Sequence, residues 1–248
     1  MFKFLRKLRR KLIEEGNAKK YLYYALGEIL LVVIGILIAL QINALNQKRL
    51  DRNAAARVLS RMTVDLDADY NRLTFIDSTY AKQRQEIREF YAILAMDQIN
   101  DKELLRKASF FHGADIKDVN SVRATFDEMV NSGNIYKLEN DSLIKQIIEY
   151  YRKVDENLFQ SREDRREFRR FLYSPEMLDY FYIRSASKNT LEIASQFFED
   201  PDSKNYKRLV QAVNWSGGLI SRGKSRNTEL IERNRSLKKS IMNEIEQK

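Results

Sequence analysis

Histidine and cysteine, the side chains best suited to nucleophilic and transition-metal chemistry, are nearly absent from this sequence, and the spacing of its carboxylates does not gather them. The one histidine is His112, in the run Phe110-Phe111-His112-Gly113-Ala114-Asp115, and there is no cysteine. Without cysteine there are no disulfides, thiolate nucleophiles or thiolate metal ligands. A lone imidazole needs partners to act as a base or a metal ligand, so a surface or capping role for His112 is favoured. Asp65, Asp67 and Asp69 alternate like a calcium loop, but on a helix they spread over different faces. Asp115, Asp118 and Asp127 would suit paired-carboxylate hydrolysis only at a separation that sequence does not define. No glycine-rich phosphate loop and no Gly-x-Ser-x-Gly elbow is present. The expectation is a protein with no catalytic residues, no metal site and no cofactor, that is, not an enzyme.

One more carboxylate, Glu28, stands inside an apolar run, Tyr21–Leu45, YLYYALGEILLVVIGILIALQINAL. About twenty apolar residues in a helix cross a bilayer, and an ionisable group within such a span is a functional hypothesis by default. Glu28 has three readings: snorkelling to the headgroups beside Lys19 or Lys20, a polar contact to another subunit, or a proton-linked site. The first is favoured, because Glu28 lies about one helical turn inside the boundary. Gly27, Leu31, Gly35 and Ala39 share a face, and Gly35-x-x-x-Ala39 is a small-residue pair that lets helices approach closely. Gly27, Glu28, Gly35 and Ala39 are therefore the candidate intramembrane contact.

The charge balance points the same way. The net charge is +9, yet the first twenty residues supply most of it. Lys3, Arg6, Lys7, Arg9, Arg10, Lys11, Lys19 and Lys20 stand there against only Glu14 and Glu15. A nucleic-acid-binding domain would carry its basic excess on the folded part, so nucleic acid is not an expected partner. Arg6, Lys7, Arg9, Arg10, Lys11, Lys19 and Lys20 instead form a membrane-surface cluster and a topology signal. They outnumber Lys48, Arg49, Arg52 and Arg57 after the span, which places the N-terminus in the cytoplasm and the rest outside. In a bacterium that means an inner-membrane protein with a periplasmic domain. Phe2, Leu5, Leu8, Leu12 and Ile13 add a basic amphipathic pattern, read either as an interfacial helix on anionic lipid or as an ordinary charged flank. A cleaved export signal is opposed by the long basic region, the long apolar run and the lack of a nearby small-x-small site.

With 8 glycines and 2 prolines in 248 residues, the composition favours helix. The expected fold class is all-α: a cytoplasmic basic segment over 1–20, a transmembrane helix over 21–45, and a periplasmic helical domain over 46–248. No Gly or Pro occurs between Gln41 and Asn100, so the span should continue outward as the first helix of a bundle. Its apolar positions include Leu59, Met62, Leu66, Leu73, Ile76 and Tyr80. A short helix is expected at Glu103–Phe111, and another marked by Val122, Phe126, Met129 and Val130, with Gly133 as a left-handed cap. Asn140-Asp141-Ser142 should cap a helix running to about Tyr173 that buries Ile144, Ile147, Ile148, Tyr151, Val154 and Leu158. Further helices are expected near Glu176–Ile183, Thr190–Phe198 and Lys204–Trp215, with a turn or hinge at Gly217-Gly218. The last helix is close to a coiled-coil heptad from Leu230 onward and long enough to pack back along the first. The numerous aromatics read as core rather than as a ligand pocket. Arg162–Arg170 reads as a solvated helix face.

Two stretches carry a resemblance. KYLYYALGEILLVVIGILIALQINALN, from Lys20 to Asn46, and TFDEMVNSGNIYKLENDSLIKQIIEYY, from Thr125 to Tyr151, resemble the recurrent segments of a bacterial family, domain of unknown function 6090. Ala44-Leu45-Asn46 departs from the family's usual Asn-Trp-Asn. The resemblance implies a single-pass inner-membrane protein and brings no established activity or catalytic residue. Together these readings give a membrane-anchored periplasmic helical domain acting in assembly or partner binding. Its expected partners are the lipid bilayer and either further copies of itself or another membrane protein. The alternatives are a periplasmic small-ligand sensing domain that signals through a partner and, least favoured, an envelope-acting enzyme.

Overall fold

A computed structural model describes residues 18–95, 114–175, 177 and 200–246. The basic segment over 1–17, the expected helices at 103–111, 176–183 (Met177 apart) and 190–198, and His112 lie outside the described residues. Every regular element among the described residues is helical. They are α1 (Ala18–Leu94), α2 (Ala124–Asn131), a 3-10 turn (Asn134–Lys137), α3 (Asp141–Leu172) and α4 (Lys204–Glu246). The chain divides into two compact units, Met1–Ala55 and Ala56–Lys248. The uninterrupted first helix expected from the missing Gly and Pro is present: α1 holds 77 residues without a break.

The second unit owes its core to a strict heptad rhythm. On α1 the buried positions are Leu59, Met62, Leu66, Asp69, Leu73, Ile76, Tyr80, Gln83, Ile87 and Phe90, stepping alternately by three and four. That step keeps one seam facing its neighbours along the whole helix. On α4 the same rhythm runs through Leu209, Val213, Ser216, Ile220, Gly223, Asn227, Leu230, Asn234, Leu237 and Ile241. The heptad visible from Leu230 onward thus begins three heptads earlier, at Leu209, hidden because Ser, Gly and Asn occupy seam positions. On α3 the stripe is Leu143, Ile147, Tyr150, Val154, Asn157 and Ser161, continuing to Phe168 and Leu172. The stripe expected from apolar content alone is partly corrected here: Ile148 is exposed, and Ile144 and Leu158 are only half-buried. The polar Asn157 and Ser161 take the inward heptad places, and Tyr151, expected in the core, is fully buried beside the stripe.

Side-chain bonds set the directions. Asn234 Nδ2 donates to the Leu66 carbonyl at 3.0 Å, Asn227 Nδ2 to the Leu73 carbonyl at 2.9 Å, and Lys224 pairs with Asp77 at 2.9 Å. These contacts run α4 antiparallel to α1, the packing back that its length predicts. Asn140 donates to Glu244 at 2.7 Å and Asn234 to Tyr150 at 3.1 Å, so α4 is antiparallel to α3 as well.

Two glycine expectations part ways. Gly133 has φ 69°, the left-handed cap predicted after α2. Gly217-Gly218 is neither turn nor hinge, because α4 passes straight through it. A Cβ at Gly217 would stand 3.5 Å from Ile87 Cγ2, an ordinary contact, so packing against α1 holds the helix together there. The helix marked by Val122 also starts later, at Ala124, because the Val122 backbone is taken by a side chain of α1. At Asn140 the predicted N-cap is present, Oδ1 accepting from the Leu143 N–H at 3.0 Å. Asn140→Ala is expected to cost about 1 kcal/mol, read from urea unfolding of the detergent-solubilised chain.

Candidate functional site

The first unit offers one feature with a functional reading. An 18-residue window of α1 has mean hydropathy 2.5, and none of it is buried. Leu26, Ile29, Leu30, Leu31, Val32, Ile36, Leu37, Ile38 and Leu40 are each more than half exposed. A contiguous apolar surface of this size marks a lipid or protein contact. One N-terminal helix is thus long and apolar enough to cross a membrane. Glu28 and Ala39 are exposed within it, and a Cβ at Gly27 or Gly35 would meet no atom within 4 Å. Lys19 is exposed beside the span. The Lys20 side chain and Arg6, Lys7, Arg9, Arg10 and Lys11 lie outside the described residues.

The second unit gathers its chemistry-bearing groups in one place, along the side of α1. Residues 114–123 have no regular structure, and the side chains of α1 satisfy their backbone. Gln83 makes a two-way clamp on Asp115, donating to its carbonyl at 3.0 Å and accepting from its N–H at 2.8 Å. Tyr80 OH accepts from the Lys117 N–H at 3.3 Å, and Arg72 donates to the Asn120 carbonyl. Asp69 Oδ1 accepts from the Val122 N–H at 2.7 Å. Asp65 Oδ2 accepts from the Thr125 N–H at 3.2 Å. The first-turn donors of a helix have no partner inside it; Asp65 supplies one to α2 from another helix, where the N-cap residue Arg123 supplies none. Arg61 and Glu128 close the far end at 2.7 Å.

This resolves the aspartate triplet. Asp65 and Asp69, four residues apart, share the face that holds this segment, while Asp67 points elsewhere and pairs with Lys238 at 2.5 Å. Spread over two faces, they are not a calcium loop. Asp118 and Asp127 are held by Arg162, Arg165 and Arg123, and Asp115 by Lys117. Among the described residues no three His, Asp or Glu side chains converge as a metal site.

At the centre of this array Asp69 Oδ2 also accepts from Tyr150 OH at 3.0 Å, and Tyr150 in turn accepts from Asn234 Nδ2. All three are almost fully buried. Burial pushes the Asp69 carboxyl above its usual range, against the opposing pull of the Val122 N–H and the Tyr150 hydroxyl. Burial, reinforced by the Asp69 charge, pushes the Tyr150 phenol well up. Tyr150 therefore remains a donor across the physiological range. This is a structural polar network. It lacks a nucleophile in an accessible cleft, and its donors and acceptors are spent on each other.

The Arg162–Arg170 run is mostly a solvated face, as its mixed charge predicts. Phe168 enters the core against Trp215 at 5.7 Å, and Asp164 pairs with Arg226 at 2.7 Å. Sequence reasoning missed the polar core, whose signal was present: Asn157, Ser161, Ser216, Asn227 and Asn234 all fall on the heptad seam. No known protein family, curated protein or solved structure matches this chain.

Proposed function

We propose that this chain is a single-pass inner-membrane protein whose periplasmic helical bundle works in assembly or partner binding rather than catalysis. The observation that carries this reading is the run of exposed apolar side chains on α1 from Leu22 to Leu45. Leaving that surface in water would forfeit roughly 25 cal/mol per Å² of apolar area, so it belongs in lipid or against another helix. The basic excess before the span supports a cytoplasmic N-terminus. The resemblance to the domain of unknown function 6090 family supports the same placement. Residues 46–248 then form the periplasmic domain, and the bilayer is the first partner. The second is a further copy of the chain or another membrane protein, met through the face of Gly27, Glu28, Gly35 and Ala39.

Reporter fusions after residue 20 and residue 248 test the topology. An oxidising-compartment reporter should be active only at the second position, and activity at the first position alone would reverse the orientation. In-membrane crosslinking followed by mass spectrometry tests assembly: a solitary chain with no crosslinked neighbour would count against the proposed role. Gly35→Leu is expected to weaken association in the membrane on the order of tenfold, because close helix approach needs a small residue. Unchanged association would remove this face as the contact.

A further inference from the structure

Two buried polar layers lie one heptad apart between α3, α4 and α1, and only one of them closes on itself. In the first, Tyr150 OH donates to Asp69, and Asn234 Nδ2 donates to both Tyr150 OH and the Leu66 carbonyl. Because α3 and α4 are antiparallel, seven residues forward from Tyr150 and seven back from Asn234 reach the next shared layer. Those positions are Asn157 and Asn227, exposed by 4% and 1%. Half of each amide is used there: Ser161 Oγ donates to Asn157 Oδ1 at 3.3 Å, and Asn227 Nδ2 donates to the Leu73 carbonyl at 2.9 Å. The two remaining atoms, Asn157 Nδ2 and Asn227 Oδ1, are buried and have no hydrogen-bond partner among the described residues.

One of these atoms is a donor and the other an acceptor, on facing helices in one layer. Two asparagines at heptad core positions that left both groups unpaired would be worse than two leucines. We infer that the Asn157–Asn227 layer is an internal water site, in which one water accepts from Asn157 Nδ2 and donates to Asn227 Oδ1. Ser161 Oγ, one turn along α3, keeps acceptor capacity for the water's second proton, which brings the count to the three bonds usual for a buried water. The result is a polar cross-link from Ser161 through Asn157, the water and Asn227 to the Leu73 carbonyl, joining all three helices. Its role is register. Polar layers at two adjacent heptads match each other at one alignment of α3 on α4, and a slip would set amides against leucines.

The test is a double-mutant cycle on the detergent-solubilised full chain, with thermal unfolding as the readout. Asn157→Leu and Asn227→Leu should each lower Tm by about 4–8 °C, and the double variant should lie well above the sum of the two losses. Strictly additive losses would overturn the shared layer. Should a leucine variant fail to fold, Asn157→Ser and Asn227→Ser provide the same cycle with less added bulk. A crystal structure resolving ordered water decides the remaining point: a water bonded to both Asn157 Nδ2 and Asn227 Oδ1 supports the site, and direct amide contact overturns it.

Discussion

Gly223→Leu is expected to destabilise the second unit by about 3 kcal/mol or more, at the upper end of what overpacking costs. A Cβ built on Gly223 would lie 2.8 Å from both Cζ and OH of Tyr80. Tyr80 is almost fully buried, and its hydroxyl accepts from the Lys117 N–H. The ring therefore cannot swing aside without releasing the segment that α1 holds. Gly223→Ala should be milder, because about 1 kcal/mol of gained helix propensity offsets part of the clash. Gly218 provides the control within the same helix. Its Cβ would meet only the mobile end of Arg222 at 3.5 Å, so Gly218→Ala should stabilise by about 0.5–1 kcal/mol. Urea unfolding of the three variants checks the ranking. A Gly223→Leu protein as stable as the parent would show that the α1–α4 approach is looser than described.

The same glycines show what sequence carries and what it does not. Gly217-Gly218 reads as a break because propensity is local, yet packing against Ile87 and Tyr91 from α1 overrides it. Gly223 carries no local signal at all; its reason is an aromatic ring 143 residues earlier in the chain, at Tyr80. The apolar span, the unbroken α1, the Asn140 cap and the left-handed Gly133 were all legible, because each is set by neighbours within a turn or two. The polar seam was legible only as a spacing: Asn, Ser and Asp at heptad positions look like surface until their partners on other helices are known. The carboxylates of α1 followed the same rule: Asp65 and Asp69 make sense only beside the backbone of residues 122–125.

Asp69 is the place where that rule has the largest energetic consequence. Asp69→Ala should cost about 2–5 kcal/mol, since it leaves the Val122 N–H and the Tyr150 O–H without an acceptor in the core, at about 1–3 kcal/mol each. Asp69→Asn keeps the shape and one acceptor oxygen, so its loss should be smaller. The pair also gives a pH test whose sign follows from burial. The Asp69 carboxyl has its pKa raised in the folded chain above the ordinary 3.8, first by desolvation. The folded state therefore holds this proton more tightly than the unfolded state does. Stability from Asp69 is full below the unfolded pKa and is lost as pH rises through the folded pKa. The asparagine variant does not titrate there. Its stability relative to the parent should thus improve as pH rises from below 3.8 through the raised pKa, and level off above it. Glu128 and Glu149, whose pKa values are lowered by Arg61 and Arg152, work in the opposite sense, but they are common to both proteins and cancel in the difference. Urea unfolding of parent and variant across the acid range measures that difference directly. Parallel pH profiles would mean that Asp69 is not desolvated, and that the Tyr150–Asn234 layer is open to water.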